Sequence, residues 1–261
     1  MSVSGLTGLL DGADEDPVAL HEDGSTTTRG ALRDRASTVE TALRANGREG
    51  RAVGVLMPNV PATIAAWFGV WNAGGSFVPL NPRVPEAELD RIVETTGVEA
   101  LVTLPEVEVA ASLAGEVVDA GEYRIVLLHP AVPREVLPEQ AIVQFTSGTT
   151  GKPKAVVLRH DTISDLLDSV IGSLRGDRQK DRARMPNLVP MSLALWAGIY
   201  QVLFAFRLGV PVVLMDRFEP GEFARLVERY EIRSSVLPPA ALVMLMSDPG
   251  VRSLAPLRYV R

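Results

Sequence analysis

The sequence predicts an α/β fold with a mostly parallel sheet, on three observations. Short apolar runs such as AVGVLM at 52–57 and AIVQF at 141–145 recur from one end of the chain to the other. Between many of them lie stretches of about 10–15 residues whose apolar side chains return at helical spacing. Turn-forming pairs, among them Asn46 with Gly47 and Pro58 with Asn59, punctuate the joins. Strands that alternate with helices of this length form βαβ units, and each crossover returns the chain to run parallel to the strand before it.

The elements follow in order. After a polar start, Ala31, Leu32, Ala36, Val39 and Leu43 share one helical face, and the helix stops near Asn46 and Gly47. A strand occupies 52–57. Pro58 and Asn59 then turn the chain into a helix holding Ile64, Trp67, Phe68 and Trp71, and 76–80 is the next strand. Residues 85–96 form an amphipathic helix, 99–104 a strand, and the run YRIVLLH at 123–129 another. Two apolar runs, 141–145 and 155–158, flank a polar loop, and 161–174 is helical with Asp161 or Thr162 as its cap. A strand at 210–215 precedes a helix at 220–230, where Pro220 suits the first turn. The strand 234–237 leads to a short apolar helix that breaks near Asp248, Pro249 and Gly250, and LRYVR at 257–261 enters a last strand.

Residues 188–206, LVPMSLALWAGIYQVLFAF, carry no charge over 19 positions. A length of about 20 is enough to cross a bilayer. Pro190, Ser192, Gly198 and Gln201 interrupt the run, and it lies inside an alternating strand and helix pattern, so it reads as a helix buried between layers. Membrane contact is the alternative.

At 261 residues the chain has the length for one large domain or two subdomains, with a join expected in the proline-rich stretch 130–138. Hydrophobic residues make up 46% and charged ones 22%, values of an ordered globular protein. A net charge of −6 leaves no broad electrostatic footprint for nucleic acid. The basic stretch 175–184 is broken by Asp177 and Asp181 and reads as a solvated loop, with a phosphate or CoA contact as the alternative. With no cysteine there is no disulfide, thiolate nucleophile or cysteine metal site, which fits a reducing, cytoplasmic setting. The N-terminus lacks the positively charged start of a secretory signal. His21, His129 and His160 are scattered without metal-ligand spacing, so no metal site is expected from these residues.

The polar loop between the two apolar runs is the strongest chemical signal. Gly148 and Gly151 let backbone N–H groups turn inward toward an anion. Thr146, Ser147, Thr149 and Thr150 add hydroxyl donors, and Lys152 and Lys154 add cations. This composition suits a phosphate grip. It is not the Walker type, because the glycines are three apart, Pro153 follows Lys152, and strands rather than a helix flank the loop. The alternative is a flexible hairpin whose lysines serve solubility.

The segment TSGTTGKPK, 146–154, resembles the phosphate-loop signature of the adenylate-forming superfamily, which comprises acyl-CoA synthetases, nonribosomal peptide adenylation domains and firefly luciferase. TRGAL at 28–32 is similar to the family's early motif, with Arg29 where an aromatic is usual. WNAGGSFVPLNP at 71–82 is similar to its second motif, and RSSVLPPAALVMLM at 233–246 to a later strand and helix. The resemblance implies that residues 1–261 correspond to the first part of a layered αβ N-terminal AMP-binding domain of the acyl-CoA synthetase type. That domain would be incomplete at its C-terminus, with the mobile C-terminal domain absent.

It also implies a reaction: ATP-dependent activation of a carboxylic acid to an acyl-adenylate, then a CoA thioester, with Mg²⁺ held by residues outside this chain. The expected partners are a small carboxylic acid and CoA. In relatives of this kind the region matching 187–198 lines the acyl pocket, which nominates Met191, Leu193, Leu195 and Trp196. Amino-acid-activating relatives hold an Asp here, whereas no acidic residue occurs between Asn187 and Met215. A buried ammonium without a partner is strongly disfavoured, so a fatty or aryl acid fits better. Many acyl-CoA synthetases carry His in a P-x-x-H pattern that here reads Pro190, Met191, Ser192, Leu193. The family's Y-G-x-T-E glutamate, ribose-binding aspartate, hinge and C-terminal lysine have no counterpart, so no catalytic residue is assigned and the chain alone is expected to be incompetent. The alternatives are a nonribosomal-type adenylation domain, a nucleotide-binding module without catalysis, and a membrane-associated protein.

Overall fold

The computed structural model describes residues 5–21, 24–130, 135–146, 154–174 and 185–261. In chain order its elements begin with β1 (Pro17–Leu20), β2 (Thr26–Thr28), α1 (Arg29–Ala45), β3 (Ala52–Leu56), α2 (Pro61–Asn72), β4 (Ser76–Leu80) and α3 (Glu86–Thr96). There follow β5 (Ala100–Thr103), β6 (Glu116–Ala120), β7 (Tyr123–Leu127), β8 (Gln140–Thr146), β9 (Lys154–Arg159) and α4 (His160–Leu174). The remainder is β10 (Asn187–Val189), α5 (Trp196–Leu208), β11 (Val212–Leu214), α6 (Pro220–Arg229), β12 (Ser234–Ser235), α7 (Pro239–Ser247) and β13 (Tyr259–Val260).

The chain forms two compact units, the first made of Met1–Leu10, Ala31–Pro58 and Ala62–Asp165. Its sheet has the order β6-β7-β5-β3-β4-β8-β9. The strands β5, β3, β4 and β8 run parallel, and the two margins are antiparallel. Every residue of β3, β4 and β5 is buried. That accounts for their unbroken apolar runs, because a strand covered on both faces has no solvent side to alternate with. Helix α2 is buried from Ala62 to Trp71, as an all-apolar helix must be, and its Trp67 stacks on Phe77 of β4 with ring centres 5.3 Å apart. In α3 only Leu89, Ile92, Val93 and Thr96 are buried. That helix stops at Gly97, whose φ of 63° is left-handed and whose N–H returns to the Val93 carbonyl at 3.0 Å.

The second unit comprises Asp11–Gly30, Asn59–Pro61 and Leu166–Arg261. Its four-stranded sheet has the order β10-β11-β1-β2, parallel except for β2, and β12 and β13 form a separate parallel pair. Leu188, Val213, Met215, Phe223, Leu226, Val227 and Ile232 make its core. Helix α6 is started by Glu219, whose carboxylate accepts the N–H groups of Gly221 and Glu222 and is held below its ordinary value, chiefly by the bond from Glu222.

Parallel pairings outnumber antiparallel ones among the described residues, as the sequence predicts. The uncharged run 188–206 differs from expectation. It is not one helix: its first residues belong to β10, a turn follows, and α5 begins only at Trp196 and extends to Leu208. Pro190 cannot donate to a helical ladder, and the Ser192 hydroxyl accepts from the Ala194 N–H at 3.2 Å, so the backbone turns before the helix starts. Among the described residues no helix is long and apolar enough to cross a membrane. Of the stretch 130–138, residues 131–134 lie outside the described residues, and the rest falls within the first unit.

Candidate functional site

The strands β8 and β9 are the stems of the glycine and threonine loop. Strand β8 lies parallel to β4 and pairs antiparallel with β9 down to the last register position, Thr146 opposite Lys154. Ser147, Gly148, Thr149, Thr150, Gly151 and Lys152 lie outside the described residues. Of the eight predicted phosphate contacts, the structure therefore places two, Thr146 and Lys154, on facing strand ends, with Lys154 exposed. Strand β8 reaches Thr146 at the carboxyl end of a parallel sheet, the side on which open α/β folds bind ligands.

Trp71 fixes this stem from below. Its indole Nε1–H donates to the Ala141 carbonyl of β8 at 2.8 Å, and its ring meets the His160 ring, just past β9, at 5.4 Å between centres. The His160 N–H donates in turn to the Glu139 carbonyl at 2.9 Å, closing the base of the hairpin. Burial lowers the His160 imidazole pKa, with the Asp161 carboxylate pulling the other way. On the exposed side Arg159 forms a bidentate pair with Asp161, at 3.0 and 2.8 Å, and a longer one with Glu139 at 3.4 Å. Asp161 is held far below the usual carboxylate range, first by Arg159 and then by the Thr162 N–H. The sequence places Trp71 in a helix and in a family motif. Its anchoring role was missed, and the available signal was that a buried indole N–H needs an acceptor.

The four predicted acyl-pocket residues lie on the segment between β10 and α5 and its junction with the helix. Leu193 is 1% exposed and Leu195 54% exposed, while Met191 and Trp196 are half-buried. Trp196, Tyr200 and Phe204 follow one another along α5 at ring separations of 5.8 and 6.0 Å, and burial raises the Tyr200 phenol. Close packing at the start of the helix requires Gly198, because a Cβ there would strike the Ser192 carbonyl oxygen. Asn59, which the sequence presents only as part of a turn, makes three buried or partly buried hydrogen bonds to this region. Its Nδ2 donates to the carbonyls of Met191 at 2.9 Å and Met215 at 2.8 Å, and its Oδ1 accepts from the Leu193 N–H at 2.7 Å. Further along α5 the Gln201 side chain is 4% exposed, and both its amide atoms are without a hydrogen-bond partner among the described residues.

Arg29 is buried and lies 3.7 Å from Asp16, which gives the guanidinium an ionic neighbour at the position where the family carries an aromatic. Among the described residues no group of His, Cys, Asp or Glu is disposed to hold a metal ion. An open cavity of about 310 Å³ beside α7, lined by Leu242, Leu245 and Met246 among others, shares no residue with either predicted segment.

A family profile described as AMP-binding enzyme matches residues 12–260. Phenyloxazoline synthase MbtB of Mycobacterium tuberculosis is 34% identical over 241 residues, which cover 88% of this chain and 16% of that protein. Feruloyl-CoA synthase of an Amycolatopsis species is 31% identical over 241 residues, covering 90% of this chain and 48% of that one. Among solved structures, the amide bond synthetase McbA from Marinactinospora thermotolerans superposes with a TM-score of 0.73 at 26% identity, over 98% of this chain and 54% of that one. The chain thus spans about half the length of these relatives or less.

Proposed function

We propose, from the premise that this chain belongs to the AMP-binding enzyme family of adenylate-forming enzymes, that it supplies the phosphate loop and part of the acid site of an acyl-CoA synthetase. In that reaction a carboxylate oxygen attacks the α-phosphorus of ATP and pyrophosphate leaves. The CoA thiol then attacks the acyl carbonyl, loses its proton, and AMP departs. The observation that carries the reading is the family match across the whole hairpin, with TSGTTGKPK joining two strands that pair up to Thr146 and Lys154.

In this reading the hydroxyls of Thr146, Ser147, Thr149 and Thr150 donate to phosphate oxygens. Lys152 and Lys154 offset the charge that gathers on the departing pyrophosphate. The amides of Gly148 and Gly151 approach the same oxygens, since no Cβ keeps the ligand away. Magnesium would stabilise the triphosphate charge, and among the described residues no group of His, Cys, Asp or Glu is disposed to hold it. Met191, Leu193, Leu195 and Trp196 would face the acyl group. The absence of any acid between Asn187 and Met215 supports a fatty or aryl acid over an amino acid. The cytoplasm is the proposed compartment, supported by the lack of cysteine.

The likeness to phenyloxazoline synthase favours a second reading, a nonribosomal-type adenylation domain whose acyl-adenylate passes to an acceptor other than CoA. Residues 1–261 titrated with ATP should show saturable binding, and pyrophosphate exchange by the same chain should be weak or absent. In the whole enzyme, exchange stimulated by benzoate, ferulate or decanoate supports acid activation, and exchange driven by phenylalanine alone overturns the proposed substrate class. CoA-dependent thioester formation separates the two readings.

A further inference from the structure

Asn59 belongs with Val60 and Pro61 to the second unit, although the chain before and after these three residues belongs to the first. Its carboxamide is 8% exposed and spends both amide hydrogens and its oxygen on the backbone of three residues. Two of these, Met191 and Leu193, lie just past β10, and the third, Met215, directly follows β11. The strands β10 and β11 are parallel neighbours, so the amide bridges their carboxyl ends, where ligands of open α/β sheets bind. No other side chain of similar size makes this pattern. Aspartate lacks the two donors, leucine lacks all three groups, and a shorter residue leaves two carbonyls and an N–H unpaired in a buried place.

We infer that Asn59 is a positioning residue for acid recognition: it sets the backbone from Met191 to Leu193, and through it the direction in which the segment presents its side chains. The inference rests on the proposed acid site. Asn59 itself touches only backbone in this arrangement. By holding Met191 and Leu193 on either side of Ser192, it turns Leu193 inward and delivers the chain to the start of α5 at Trp196. Its action on the acid would therefore come through the segment, with no direct part in gripping the nucleotide.

The test uses residues 1–261 with Asn59→Ala and Asn59→Asp, read by amide hydrogen exchange and by titration with ATP and with benzoyl- and decanoyl-sulfamoyl adenosine. In Asn59→Ala the Leu193 amide should exchange at least about tenfold faster, since its acceptor is gone while the rest of the sheet is intact. The acyl-bearing probes should bind about tenfold more weakly, with ATP affinity changed by no more than about twofold. In Asn59→Asp the Leu193 acceptor remains, so its protection should persist while the acyl-bearing probes still lose affinity. This variant decides the matter if Asn59→Ala does not fold. An unchanged Leu193 amide in Asn59→Ala, or equal losses for ATP and the acyl-bearing probes, overturns the inference. If the unaltered chain binds none of the three probes, the functional reading fails, and the exchange result still decides whether Asn59 holds the segment.

Discussion

The indole of Trp71 donates to the carbonyl of Ala141 at 2.8 Å, joining the end of α2 to the strand that leads into the phosphate-loop sequence. Both groups are buried, so the bond has no water to replace it. Trp71→Phe keeps an aromatic ring but orphans the Ala141 oxygen, and should cost about 1–3 kcal/mol of stability. Trp71→Ala adds a cavity and should cost about 3–5 kcal/mol. Urea unfolding of the three proteins gives the order directly, and a Phe variant as stable as the parent would show that the bond contributes nothing net.

His160 packs on the same indole and gives the hairpin a pH dependence. Burial holds its imidazole below the ordinary value near 6.5, so the unfolded chain takes up this proton at higher pH than the folded one. The contribution is complete above about pH 6.5 and is lost as pH falls from there through the folded value. His160→Phe removes the titrating group and keeps a ring against Trp71. Measured from about pH 8 to about pH 5, the parent should lose more stability than this variant, while carboxylates common to both cancel in the difference. Equal losses would place the imidazole in a solvated setting instead.

Gln201 presents the opposite case, a buried polar side chain with no hydrogen-bond partner among the described residues. Its amide atoms are fully enclosed, on a helix otherwise rich in apolar residues. Gln201→Met keeps the length of the side chain and removes the unmet hydrogen-bonding demand, so stability should rise by about 1–2 kcal/mol. Thermal unfolding reads the sign. A fall in melting temperature would mean that the carboxamide has a partner, such as an ordered water, whose bonds exceed the desolvation cost.

What the sequence disclosed, and what it hid, follows from the range of the interactions. Strands β3, β4 and β5 were readable because burial on both faces writes a continuous apolar run into five or fewer adjacent residues. The loop stem β8 was readable from its buried run Ala141 to Val143, whereas β9 was readable from its apolar residues 155–158 although half of the strand is exposed. The strands β1, β2 and β10 are three or four residues long, too short for any periodicity to register, and β6 is exposed over most of its length. Within 188–206 the absence of charge concealed a change from strand to helix, since buried elements of either kind are equally apolar. Asn59 was hidden by distance: its partners lie 132, 134 and 156 residues along the chain, and only the folded sheet brings them together.

The two lysines of the loop can be tested on the chain itself. Each charge-assisted bond to a phosphate contributes about 1.5–3 kcal/mol, so Lys152→Ala or Lys154→Ala should weaken ATP binding by about 10- to 100-fold. Lys154 is exposed, and its replacement should leave the unfolding midpoint almost unchanged. Saturable binding that survives both replacements would remove the loop from the nucleotide site.

Leu193 and Leu195 stand two residues apart on the same segment, and their contrast in exposure separates packing from recognition. Leu193 is 1% exposed, and truncation to Ala leaves a cavity that should cost about 2–5 kcal/mol whether or not a ligand binds nearby. Leu195 is 54% exposed, so Leu195→Ala should change stability by no more than about 0.5 kcal/mol. An exposed leucine that meets an apolar acyl group gains burial only on binding, and losing that burial should weaken benzoyl- or decanoyl-sulfamoyl adenosine by about 1–2 kcal/mol, roughly 5- to 30-fold. ATP lacks the acyl group and should bind Leu195→Ala as it binds the parent. Unchanged affinity for both acyl-bearing probes would make Leu195 an ordinary surface residue and confine the acid site to Met191, Leu193 and Trp196.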